Sequence, residues 1–154
     1  ADVLGVGSAG LGILTAFRFV GGALGVVALT ALGWVKRRGI LLLIVLSLFG
    51  FGLVLLSQSP NFLVALIFVV FANSMGSSAD ILHQTLLQSS VPNEQRGRSM
   101  GSWVVGVGTA PVGHVEIGYV ASLTTARLAL LPNGIALMVL PLLLLLLFPR
   151  FRQL

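Results

Sequence analysis

Five stretches of the chain are mostly apolar, and short polar connections separate them. They run near Gly10–Trp34, Ile40–Ser57, Phe62–Leu86, Ser99–Ala121 and Leu128–Phe148. Each comes close to the roughly 20 residues an α-helix needs to cross about 30 Å of hydrocarbon. Segments such as ILLLIVLSLFGFGLVLL and MVLPLLLLLLF lack the apolar/polar alternation over about 10 residues that marks a membrane β-barrel strand. The pattern predicts an all-α, polytopic membrane protein with five transmembrane helices.

Composition narrows the function classes. Of 154 residues 56% are hydrophobic and 8% charged, against about 25% charged in a soluble domain, and the mean hydropathy is +1.06. Such a chain cannot cover a water-facing surface, which excludes an ordinary soluble enzyme. With no cysteine, disulfides, thiolate metal sites and cysteine nucleophiles are excluded together. The net charge of +5 punctuates apolar runs instead of clustering on one face, so no nucleic-acid footprint is expected.

The charges read instead as topology signals. Lys36, Arg37 and Arg38 join the first two spans, whereas Ser57–Asn61 carries no charge. The third connection, VPNEQRGR, brings Arg96 and Arg98 against Glu94; the fourth holds only Arg127, and Arg150 and Arg152 close the chain. Basic and neutral connections alternate, placing the amino end outside and the carboxyl end in the cytoplasm. An outside amino end, Ala1 at the start, no positively charged leader and an odd number of spans are together expected of a fragment preceded by at least one further helix.

Within the spans, Gly21 and Gly25 form a G-x-x-x-G pair that lets helix backbones approach closely in lipid. Gly108, Pro111 and Gly113 mark a bend in the fourth span, where proline removes a backbone hydrogen bond. Ionisable residues at membrane depth are costly and are functional candidates by default: Arg18, Asp80, His83, His114 and Glu116. Helix rise puts Arg18 and Glu116 at a common depth in the outer part of the membrane, so a charge pair between them is expected, with separate snorkelling to the interface as the alternative. On the third span Asn73, Ser77, Asp80, Gln84 and Gln88 recur at helical spacing along one face. A polar stripe of this kind faces protein or water, lining a substrate path or hydrogen-bonding a neighbouring helix. Carboxylates in such paths load and release protons, which makes Asp80 the first candidate for coupling or substrate contact; His83 is a further candidate for proton relay or binding, off the stripe, with plain solvation near the cytoplasmic end as the alternative.

Other chemistries fail on inspection. GVGSAG departs from the dinucleotide-binding spacing, the two histidines lie far apart with no matching acidic set, and no serine stands on a nucleophile turn. No catalytic, cofactor or metal site is expected.

VPNEQRGRSMG at 91–101, preceded by Gln84 and Gln88 and followed by GTAPVGHVEIG at 108–118 and Asn133-Gly134, resembles the carboxyl-terminal half of a major facilitator superfamily transporter, in the branch of bacterial exporters similar to the enterobactin exporter. GWVKRRG at 33–39 is similar to the superfamily's basic loop, without that loop's Asp. The resemblance implies that the five spans are helices eight to twelve of twelve, within a partial C-terminal six-helix bundle. It implies that Asp80 and its stripe face a central cavity, and that Glu94, Arg96 and Arg98, with Lys36, Arg37 and Arg38, sit at a cytoplasmic gate. The implied function is secondary active, proton-coupled export of small amphipathic molecules by alternating access in the bacterial inner membrane. The partners are the lipid bilayer, a small-molecule substrate and the missing N-terminal transporter half, without which the 154 residues are expected not to transport. The competing reading is a non-transporting helical subunit with a structural or assembly role.

Overall fold

The computed structural model describes residues 7–31 and 37–147, which are helical throughout apart from short turns. In chain order the helices are α1 (Gly7–Ala31), α2 (Arg38–Ser57), α3 (Phe62–Ser89), α4 (Arg96–Gly108), α5 (Ala110–Leu123) and α6 (Ala126–Leu147), with a single 3-10 turn at Asn93–Gln95. The chain is an all-α membrane protein. Helices α1, α2, α3 and α6 are each long and apolar enough to cross a bilayer. At 28 residues α3 is about 42 Å long, which exceeds the hydrocarbon thickness and carries its polar end, Gln84 to Ser89, toward the interface.

The segment expected as a fourth span forms two helices of 13 and 14 residues. The break falls at Thr109, between Gly108 and Pro111. Pro111 sits in the first turn of α5, where its missing N–H costs nothing, while its ring would crowd the carbonyl four residues back if one helix ran through. Thr109 ties off α4 by donating its Oγ1 to the Gly106 carbonyl at 2.6 Å. Gly108 and Gly113 have no neighbouring helix within 4 Å of an added Cβ, so these glycines serve the bend and not a helix contact.

The turn between α2 and α3 follows from three residues. Gln58 and Ser59 amides close α2 on the Val54, Leu55 and Leu56 carbonyls, Pro60 cannot extend it, and Asn61 starts α3 by accepting the Val64 amide on Oδ1 at 3.0 Å. Arg37 and Arg38 are exposed at the first turn of α2, the end where the helix dipole disfavours cations. Helix stability therefore does not account for them. Lys36 lies outside the described residues.

Packing sets the helices in the order α1, α3, α2, α6, with α4 against α3 and α5 against α6. The central pair buries 33% of its most apolar stretch and the flanking α1 and α6 only 11%. Val45, Ala79 and Leu82 form the buried centre between α2 and α3, supported by Leu29, Leu41, Leu46 and Met75. Outward faces are large and apolar, with Leu11, Ile67, Val115 and Leu146 all more than 60% exposed, as a lipid-facing surface requires.

Small residues determine how closely helices meet. A Cβ at Gly21 would lie 2.8 Å from Val70 Cα, and one at Gly25 3.0 Å from Ser74 Cα. The two numbers rise together, so α1 and α3 run parallel. The buried Ser78 hydroxyl lies 3.0 Å from the Gly25 carbonyl and 2.9 Å from that of Ser74, a shared donor that crosses the same contact. On the other side Gly50 and Gly134 mark the crossing of α2 and α6, where a Cβ on Gly50 would lie 2.6 Å from the Gly134 carbonyl oxygen. In α6, Pro132 falls inside the helix, and the adjacent Asn133 donates Nδ2 to the Ala129 carbonyl at 3.1 Å, adding a side-chain donor to the interrupted turn.

Candidate functional site

The α1–α3 contact places Arg18 one turn before Gly21, on the polar side of α3. Its Nε donates to Asn73 Oδ1 at 3.0 Å, and Asn73 Nδ2 donates to the Val69 carbonyl at 2.9 Å, which fixes the amide's orientation. The bond lies 11 residues from the start of the 28-residue α3, well inside the helix. Hydrogen bonds to charged groups contribute about 1.5–3 kcal/mol, so this contact offsets part of the cost of an arginine at that depth.

Arg18 and Asn73 belong to a cleft of about 310 Å³, with α3 as its floor and α1 and α2 as its walls. Phe19 and Gly22 come from α1, Leu46 and Phe49 from α2, and Asn73, Gly76, Ser77, Ala79 and Asp80 from α3. Asn73, Ser77 and Asp80 follow one line along the floor, Arg18 reaches in from the α1 wall, and Phe19, Leu46 and Phe49 make the walls otherwise apolar. A second cleft of about 360 Å³ opens between α3 and α4, lined by Asp80, His83, Leu87, Ser102, Trp103, Gly106 and Val107. Asp80 belongs to both. It is exposed, at the point where the two clefts share α3.

The polar stripe is thus divided by function. Asn73, Ser77 and Asp80 face the first cleft. Gln88 instead holds the turn after α3: its Nε2 lies 3.6 Å from Met100 Sδ, and its carbonyl accepts Arg96 Nε at 3.1 Å. Gln84 is half-buried and lines neither cleft. His83, off the stripe by spacing, joins Asp80 in the second cleft.

The structure does not bring Arg18 and Glu116 together. Helix α1 packs on α3, α5 packs on α6, and α1 and α5 share no contact; Glu116 is exposed and Arg18 is engaged by Asn73. Equal depth is a one-dimensional criterion, and the lateral order of the helices separates the two residues. At the connection after α3, Arg96 closes the helix end instead of pairing with Glu94, an arrangement that also suits the negative end of the helix dipole. Glu94 and Arg98 are exposed. The His114 side chain lies outside the described residues. Among the described residues no three His, Asp or Glu side chains gather as a metal site.

Participants not singled out from the sequence include Ser78, which crosses to α1, and Phe19, Leu46, Phe49 and Trp103, which wall the clefts. For Ser78 a signal existed, since Ser74 and Ser78 form a small-x-x-x-small pair on α3 complementary to Gly21 and Gly25. No protein-family model, no characterised protein and no solved structure matches the chain.

Proposed function

We propose that the chain is part of a secondary transporter that moves small amphipathic molecules through the membrane, with Asp80 coupling their export to protons by alternating access. One observation carries this reading: a cleft of about 310 Å³, within the size range of small-molecule sites, places Arg18, Asn73, Ser77 and Asp80 against Phe19, Leu46 and Phe49 deep among apolar helices. Polar groups at this depth are expensive and mark substrate or ion paths. The broken α4–α5 segment flanks the second cleft through α4, and discontinuous helices typically form the substrate and ion sites of transporters. The similarity of VPNEQRGRSMG and GTAPVGHVEIG to bacterial exporters supports the same reading, with helices α1–α6 as part of the carboxyl-terminal half and the bacterial inner membrane as location.

The test is accumulation of an amphipathic dye in everted membrane vesicles containing the natural reading frame that encodes the chain. Accumulation driven by a pH gradient is expected, and Asp80→Asn is expected to lower it to background while the amount of protein in the membrane stays constant. Accumulation unaffected by deleting the chain overturns the transport reading in favour of the structural subunit. Coupling that survives Asp80→Asn removes Asp80 from the mechanism.

Orientation is proposed with the α2–α3 turn outside and the carboxyl end in the cytoplasm, as the basic connections require. A cysteine at Ser59, the first in this cysteine-free chain, is expected to react with a membrane-impermeant maleimide added outside intact cells. Reaction solely from the cytosolic face reverses the topology.

A further inference from the structure

We infer that the α1–α2–α3 cleft selects bipolar ligands, with an oxyanion held by Arg18 and a protonated amine held by Asp80. The inference rests on the cleft being the binding site of the preceding section and names the chemistry it takes.

Arg18 carries the argument. Its Nε is used by Asn73, and among the described residues neither terminal Nη group has a partner, although the side chain lines the cleft. A guanidinium anchored through Nε presents its remaining N–H groups as a fixed fork, the geometry that grips a carboxylate or phosphate. Asn73 contributes no charge, so the cation is held in place and not neutralised. A cation at this depth is relieved most by an anion brought with the ligand.

Asp80 provides the other pole. It lies seven residues beyond Asn73 on the same face of α3, and seven residues rise about 10 Å, too far for Asp80 to neutralise a guanidinium held at the level of Asn73. Between the poles the floor is small and polar, with Gly76 and Ser77, while Phe19, Leu46 and Phe49 wall the cleft. Gly22 keeps the α1 side open: a Cβ there would lie 3.1 Å from Ser77 Oγ. The complementary ligand has an oxyanion at one end, an ammonium at the other, and an apolar middle of matching length. Its opposite ends match the two charges that line the cleft at once, whereas a singly charged ligand leaves one of them unmatched.

The probe is ω-aminooctanoate, whose extended chain sets carboxylate and amine at that separation. Octanoate and octylamine carry one end each. Binding is read by calorimetry on the whole chain in nanodiscs of neutral glycolipid. The bipolar probe is expected to bind about tenfold or more tightly than either single-ended compound, as one charge-assisted hydrogen-bonded contact implies. Arg18→Gln is expected to reduce the probe to the affinity of octylamine, and Asp80→Asn to that of octanoate. Equal affinity of the probe and one single-ended compound overturns the inference, as does absence of binding by all three. Because these comparisons use the unaltered protein, a variant that fails to fold does not blunt them. Loss of probe binding in phosphatidylethanolamine nanodiscs shows that the site belongs to a lipid headgroup, and this too overturns it. Selective binding with no dye transport sinks the transport reading alone; dye transport with no preference for the bipolar probe sinks this inference alone.

Discussion

Replacing Gly25 with leucine strips α1 from α3. The Cβ alone would lie 3.0 Å from Ser74 Cα, and what blocks it is backbone, which cannot swing aside as a side chain can. Overpacking of a tight contact costs about 1–3 kcal/mol, here with the Ser78 bond to the Gly25 carbonyl lost in addition. The loss propagates to the site, because Arg18 reaches Asn73 only while α1 lies on α3. A Gly22→Cys/Ser77→Cys pair reports the contact, since a Cβ at position 22 would lie 3.1 Å from Ser77 Oγ, within disulfide reach. Oxidation is expected to cross-link that pair in the parent chain and in Gly12→Leu, where an added side chain meets nothing within 4 Å. With Gly25→Leu the cross-link is expected to disappear. Cross-linking at an unchanged rate would refute the assigned α1–α3 interface.

Gly50→Leu is expected to be as damaging on the opposite side of the bundle. A Cβ there would lie 2.6 Å from both the Gly134 carbonyl oxygen and the Leu137 carbonyl carbon, and a Cβ on Gly134 would reciprocally lie 3.0 Å from the Val54 amide nitrogen. Among the described helices α6 is held in the bundle by α2 and otherwise touches only α5, which itself meets α4 only at their shared turn, so separating this crossing loosens α5 and α6 together. A penalty of about 3 kcal/mol, the upper end of overpacking costs, should appear as a lowered thermal midpoint of the detergent-solubilised chain. Gly50→Ala is expected to fall between parent and leucine variant, and Gly108→Leu, with nothing within 4 Å, to stay near the parent. A Gly50→Leu midpoint equal to that of Gly108→Leu would show that α2 and α6 do not meet there.

The two glycine pairs show how unevenly packing was legible. Gly21 and Gly25 carry a recognised spacing on one helix, so a close approach was predictable, though not its partner. Gly50 and Gly134 lie on different helices, and no pattern within either marks them as a pair. The candidate site divides in the same way. The stripe from Asn73 to Gln88 was visible because helical spacing puts its members on one face. That Asn73, Ser77 and Asp80 meet a cleft while Gln88 secures the turn to α4 depends on where α1, α2 and α4 end. The expected Arg18–Glu116 pair failed for that reason too: depth follows from counting residues, lateral neighbours do not.

Hydrophobic length and the proline and glycine positions determined that this chain is helical, roughly where its apolar helices lie, and where the segment expected as a fourth span breaks into two helices. These are properties of single segments in lipid, accumulated residue by residue. Which helix lies beside which, and hence the pairing of Arg18 with Asn73 and the shape of the cleft beside it, was decided by tertiary structure. Lipid is as apolar as a leucine-rich helix, so hydrophobicity provides no preference among neighbours. Close fitting of small residues and a few polar contacts makes that choice, and both exist only once the helices have met.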